Sequence, residues 1–151
     1  MAQRVEPRIR THSLVLDLPS LDPAFTQPLF AHLSILNSTS TPTGARGAGG
    51  SVMLFVGGAP LPFAMSRDAS VAMQRPNGPP AATSLSKTNS ASLALSGRLA
   101  KRYGQQVFLS LDLSSLGDGG AATADRAMMP MERALIVELD KVLERKRAVA
   151  A

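Results

Sequence analysis

The stretch Ser90–Ser114 constrains the fold more than any other part of this chain. Leu95, Leu99 and Tyr103 recur every four residues and share one face of a helix, while Arg98, Lys101 and Arg102 take other faces. Asn89 or Ser90 offers a side-chain oxygen to cap the helix start. Gly104 follows Tyr103 at once and, lacking a Cβ, enters the left-handed conformation that ends a helix. Val107, Leu109, Leu111 and Leu113 then alternate with Gln106, Phe108, Ser110 and Asp112, the period of a strand with one buried face. A helix stopped by one residue and followed by such a strand requires a sheet for the strand to join and a core for the helix to cover.

The flanking sequence supplies candidates for that sheet. Residues 1–8 are polar and charged and read as a flexible N-terminus. Alternation of Leu14, Leu16 and Leu18 predicts a strand near 10–18, ended by the turn chemistry of residues 19–23. Leu29, Ala31, Leu33 and Ile35 line one face of a second strand near 29–37; a helix over 23–36 is the alternative. The short apolar run Val52–Val56 predicts a central strand buried on both faces. Residues 61–68 fit either a loop or a short strand. Residues 69–75 and 81–86 form a predicted hairpin around the turn at Pro76–Pro80. A last helix is expected from Ala127 or Met131 to Arg147, with Leu135, Leu139, Val142 and Leu143 as its apolar stripe and Pro130 in its first turn. Residues 38–50 and 117–125 are glycine-rich and read as mobile loops, and 148–151 as a tail. The sum is one α+β domain over 9–147, an antiparallel sheet of about six strands with two main helices packed on one face.

The 151 residues suffice for one domain with a core. With five Phe, one Tyr and no Trp, that core must be built from aliphatic side chains. The absence of cysteine excludes disulfides, thiolate metal sites and cysteine nucleophiles, and fits a reducing compartment. Asp17 and Pro19 cut the apolar run near the N-terminus too short for a secretory signal. No segment approaches the roughly 20 apolar residues that span a bilayer. The expected location is the cytoplasm and nucleus.

Catalytic chemistry has no foothold in the pattern. His12 and His32 are the two imidazoles, each alone on a strand, and the aspartates lack metal-ligand spacing. The glycine-rich segment 38–50 lacks the Gly-Lys-Ser/Thr ending of a phosphate loop. The expectation is a protein that is not an enzyme, with no cofactor and no metal. The net charge of +5 keeps a basic nucleic-acid-binding domain open as an alternative. Against it, Tyr103 is the one aromatic ring beside a basic cluster, and single-strand binding wants stacking platforms.

Several strands carry apolar residues on both faces. Met53 and Phe55 oppose Val52, Leu54 and Val56; Phe108 opposes Val107 and Leu109; Phe30 opposes Leu29 and Leu33. Two helices cover one face of a sheet, not two. Either the sheet folds over on itself or a partner covers the second face.

The segments Ser51–Gly57, Ser70–Met73, Ala82–Leu85, Gly97–Lys101 and Gln105–Ser110, in that order, with the closing amphipathic helix around Met131–Leu143, resemble the proteasome assembly chaperone 4 family. The likeness runs from Ser51 to the end of the chain. Residues 38–50 and 117–125 look like insertions, 58–68 is longer than the family pattern, and the segment before Leu29 lacks a clear helix. The resemblance implies a small α+β domain without catalytic activity. It implies a heterodimer with the related proteasome assembly chaperone 3, binding to proteasome α subunits, and assistance in forming the α ring. On that reading Phe30, Met53, Phe55 and Phe108 are the partner-interface candidates. Arg98, Lys101 and Arg102 are the candidates for α-subunit contact.

Overall fold

A computed structural model describes residues 9–36, 50–58, 68–85, 90–116 and 120–150, with the side chains of the last helix described over 122–143. Six strands form one sheet: β1 (Ile9–Leu16), β2 (Leu29–Leu36), β3 (Ser51–Gly57), β4 (Asp68–Met73), β5 (Ala81–Ser84) and β6 (Gln106–Leu111). Their spatial order is β1-β2-β3-β6-β4-β5. A single helical turn, α1 (Leu18–Leu21), follows β1; α2 spans Ala91–Tyr103 and α3 spans Gly120–Ala150.

The sheet is mixed rather than antiparallel throughout. Every neighbouring pair is antiparallel except β3 and β6, which run parallel with Val52 beside Val107 and Leu54 beside Leu109. Parallel strands need a crossover, usually a helix. Here α2 carries the chain from β5 over β4 and sets β6 between β4 and β3.

Register turns the alternating leucines to one side. His12, Leu33, Leu54, Leu109, Ser70 and Ser84 form one row across the sheet; Leu14, Ala31, Val56 and Leu111 form the next. Both long helices seal this face. Leu95 and Leu99 of α2 and Ala127, Met131, Leu135, Leu139 and Leu143 of α3 join Leu14, Ala31, Leu33, Leu54, Val56, Leu109 and Leu111 in a single buried core. Each large aliphatic side chain so buried contributes about 1.5–3 kcal/mol.

Small residues decide how closely α2 lies on β4 and β5. Ser92, Ser96, Gly97 and Ala100 are all buried beside the leucines. Ser70 Oγ donates to Ser96 Oγ at 2.9 Å, and Ser96 Oγ donates to the Leu93 carbonyl at 3.1 Å, so the buried hydroxyls are satisfied. Ser90 caps the helix and Gly104 ends it at φ 63°, its N–H bonded to the Ala100 carbonyl.

Four expectations need correction. The first strand stops at Leu16 because Asp17 turns out to cap α1: its carboxylate accepts from Ser20 N–H, and Pro19 is tolerated in the first turn. β3 is buried on one face only; Met53 is 43% exposed, since both long helices lie on the other side. The loop expected over 117–125 is helical from Gly120. α3 therefore starts well before Ala127, and Pro130 lies in its interior rather than its first turn. Ala127, four residues before Met131, extends the buried stripe of α3 by one more turn, and that packing outweighs the proline. The loop expected over 38–50 lies outside the described residues except for Gly50, as do residues 1–8 and most of 58–68.

Candidate functional site

The second face of the sheet is where the candidate interface residues meet. Its central row is Thr11, Ser34, Met53, Phe108, Val71 and Thr83; the row beside it is Ser13, His32, Phe55, Ser110 and Ala69; Val15 and Phe30 begin a third. Phe30, Met53, Phe55 and Phe108 thus share one face, drawn from three adjacent strands. The Phe55 and Phe108 rings lie 6.1 Å apart at 50°, a tilted aromatic contact.

Among the described residues both long helices lie on the other face. Phe30, Phe55, Phe108 and Val71 are half-buried, held by their strand neighbours but not enclosed. Val15 is 56% exposed, and Ile9, Leu36 and Met73 are also exposed on this side. Val15 and Val71 extend the apolar patch beyond the four expected positions. Their signal was present in sequence as residues out of phase with the buried leucines of β1 and with Ala72 of β4. Polar residues border the patch on the same face: Thr11, Ser13, His32, Ser34, Ser110 and Thr83. His32 Nδ1 is sealed from solvent without a hydrogen-bond partner among the described residues, a state that costs about 1–3 kcal/mol if it persists. At one margin Ser51 Oγ donates to Gln106 Oε1 at 3.1 Å.

The three basic candidates lie elsewhere, and two are already engaged. Arg98 donates two hydrogen bonds of 2.7 Å to the two Glu132 carboxylate oxygens of α3. Arg102 donates to Asp140 at 2.8 Å, and Tyr103 Oη donates to the other oxygen of the same carboxylate at 2.8 Å. The Arg102 guanidinium also stands 5.8 Å from the centre of the Tyr103 ring. These contacts clasp α2 to α3. Glu132 raises the Arg98 pKa. Burial, and then the Asp140 carboxylate, push the Tyr103 phenol far above its ordinary value. Lys101 is exposed.

A carboxylate that the sequence left among scattered aspartates has a defined place. Asp68, at the start of β4, accepts from Ser90 Oγ at 2.6 Å and from Ser92 N–H at 3.2 Å. It completes the N-terminal cap of α2 from a neighbouring strand. Among the described residues no group of three or more His, Cys, Asp or Glu could hold a metal ion, and no helix is long and apolar enough to cross a membrane.

Residues 48–113 match the family model of proteasome assembly chaperone 4. The matched segment holds β3, β4, β5, α2 and β6, so the resemblance read from the chain's own motifs holds across the centre of the sheet. It includes Met53, Phe55 and Phe108 but not Phe30. A search of curated proteins finds no match.

Proposed function

We propose that this chain is a proteasome assembly chaperone that works by pairing its open sheet face with a related chaperone of the proteasome assembly chaperone 3 type, the pair engaging α subunits while the α ring forms. The family match over 48–113 supports the assembly role. The observation that carries the pairing is the apolar patch on the second face, centred on the Phe55–Phe108 contact and uncovered by either long helix. Sheets stack about 10 Å apart by interdigitating such faces. The reading needs no catalyst and carries with it a cytoplasmic and nuclear location.

Co-expression with the sister chaperone tests it. Phe108→Glu and Phe55→Glu are expected to abolish co-purification, because each removes about 1.5–3 kcal/mol of apolar burial and places a charge in the contact. Retention of a full-strength complex by both variants would sink the pairing. Arg98 and Arg102, the cations beside Tyr103 that the nucleic-acid alternative would use, are paired with α3 carboxylates.

A further inference from the structure

The second face of the sheet is uncharged as well as open. Arg10 and Asp68 are the charged residues within the six strands. Arg10 lies beside buried Ile35 and Asp68 beside buried Leu111, so both belong to rows on the side that the helices cover. The strand rows of the second face, from Ile9, Leu36, Ser51 and Gln106 at one end to Val15 and Phe30 at the other, hold no Asp, Glu, Lys or Arg. Depletion of charge marks the core of a protein interface more than solvated surface.

One imidazole stands on that face. His32 of β2 lies between Ser13 of β1 and Phe55 of β3, with Phe30 and Ser34 on either side of it along its own strand. These neighbours offer rings and hydroxyls but no charge. Asp112, just past β6, is two strands away, and its carboxylate accepts from Ser114 N–H and Oγ. The other histidine, His12, sits beside Leu33 in a covered row. Among the described residues His32 Nδ1 is sealed without a hydrogen-bond partner, and the residue as a whole is half-buried. An imidazolium has two N–H donors and no acceptor. Its charge at this position depends on the water that reaches the exposed part of the ring. A chain laid over the face removes that water, and a charge taken out of water without a counter-charge is costly.

We propose that pairing through this face is proton-linked at His32: the chain pairs with its imidazole neutral, and protonation drives the pair apart. This rests on the pairing of the open face with the sister chaperone. The separated chains bind the extra proton, so affinity is full while the ring is neutral and falls as pH drops through its titration. Imidazole ordinarily changes charge between about pH 5 and 8.

The test is the dissociation constant of the complex with the sister chaperone, measured by isothermal titration calorimetry from about pH 8 to about pH 5.5. Circular dichroism over the same range checks that each separate chain stays folded. The complex is expected to weaken about tenfold or more toward acid. His32→Gln and His32→Leu should each pair at every pH with that fall removed. His12→Gln should keep the fall. His32→Lys, which carries a fixed charge, should bring to about pH 8 the weakness that the parent chain shows only in acid. The proposal is overturned if the parent affinity is flat or rises toward acid, if the His32→Gln and His32→Leu pairs weaken as the parent does, or if His32→Lys pairs at full strength. A parent chain that pairs with flat affinity sinks the proton linkage alone. A parent chain that fails to pair even at about pH 8 sinks the pairing, and the linkage with it.

Discussion

Tyr103 shows how much one side chain reports in this chain, being its single tyrosine in the absence of tryptophan. Its phenol is half-buried and bonded to Asp140, which raises its pKa from the ordinary 10.0. A group whose pKa folding raises stabilises the fold fully below its unfolded value. That contribution is lost as pH climbs from there toward the folded value. Phenolate absorbance is therefore expected to lag far behind free tyrosine on alkaline titration, with stability to urea falling above about pH 10. Tyr103→Phe should flatten that fall; an ordinary titration of the native phenol would contradict the buried Asp140 contact. Two glycines are constrained for different reasons. Gly104 sits at φ 63°, where any Cβ is strained, so Gly104→Ala should cost about 1–2 kcal/mol. A Cβ at Gly58 would collide with Cβ and Oγ of Ser115, so Gly58→Ala should cost about 1–3 kcal/mol of overpacking. Urea midpoints at unchanged slope check both. Gly104 was legible from its place after Tyr103, whereas the Gly58 contact joins residues that no local pattern relates.

Among the elements, α2 is the one that local rules described almost completely. Its start, its stop and its Leu95–Leu99–Tyr103 face follow from spacing alone. The Ser92–Ser96–Ala100 stripe, which lets the helix settle onto β4, is not legible in the sequence because small polar residues look like surface until a strand lies against them. The cap from Asp68 is likewise tertiary. Asp68→Ala should cost about 1 kcal/mol through loss of hydrogen bonds to Ser90 and Ser92 at the positive end of the helix, read as a lower thermal midpoint. The α2–α3 clasp is worth less than its geometry suggests. Arg98 is half-exposed, so a double-mutant cycle between Arg98 and Glu132 should give a coupling of only about 0.2–1 kcal/mol, shrinking with salt. For α3, glycines and an interior proline argued for a later start. The helix begins at Gly120 all the same, and Ala127 and Met131, buried on either side of Pro130, carry it through the proline because packing gain there exceeds local propensity.

At the scale of the whole molecule, the two-layer build makes a directional object: helices on one side, an apolar sheet face on the other. Alone and concentrated, such a chain is expected to self-associate through that face, and Phe55→Ser with Phe108→Ser should restore a monomer in sedimentation velocity. A parent chain that stays monomeric at every concentration would argue that the face is not adhesive by itself. The sequence by itself determined the secondary elements of the sheet, the Gly104 stop, the buried leucines and the opposed phenylalanines, because each depends on periods of two or near four along a local stretch. The runs that match the chaperone family model were legible for the same reason, lying inside single strands and one helix. Strand order, the parallel β3–β6 pairing and the engagement of Arg98 and Arg102 by α3 were decided only in three dimensions. Alternation says that a strand has two faces but not which neighbours flank it, and a charge on a helix reveals its partner only when another helix is laid beside it.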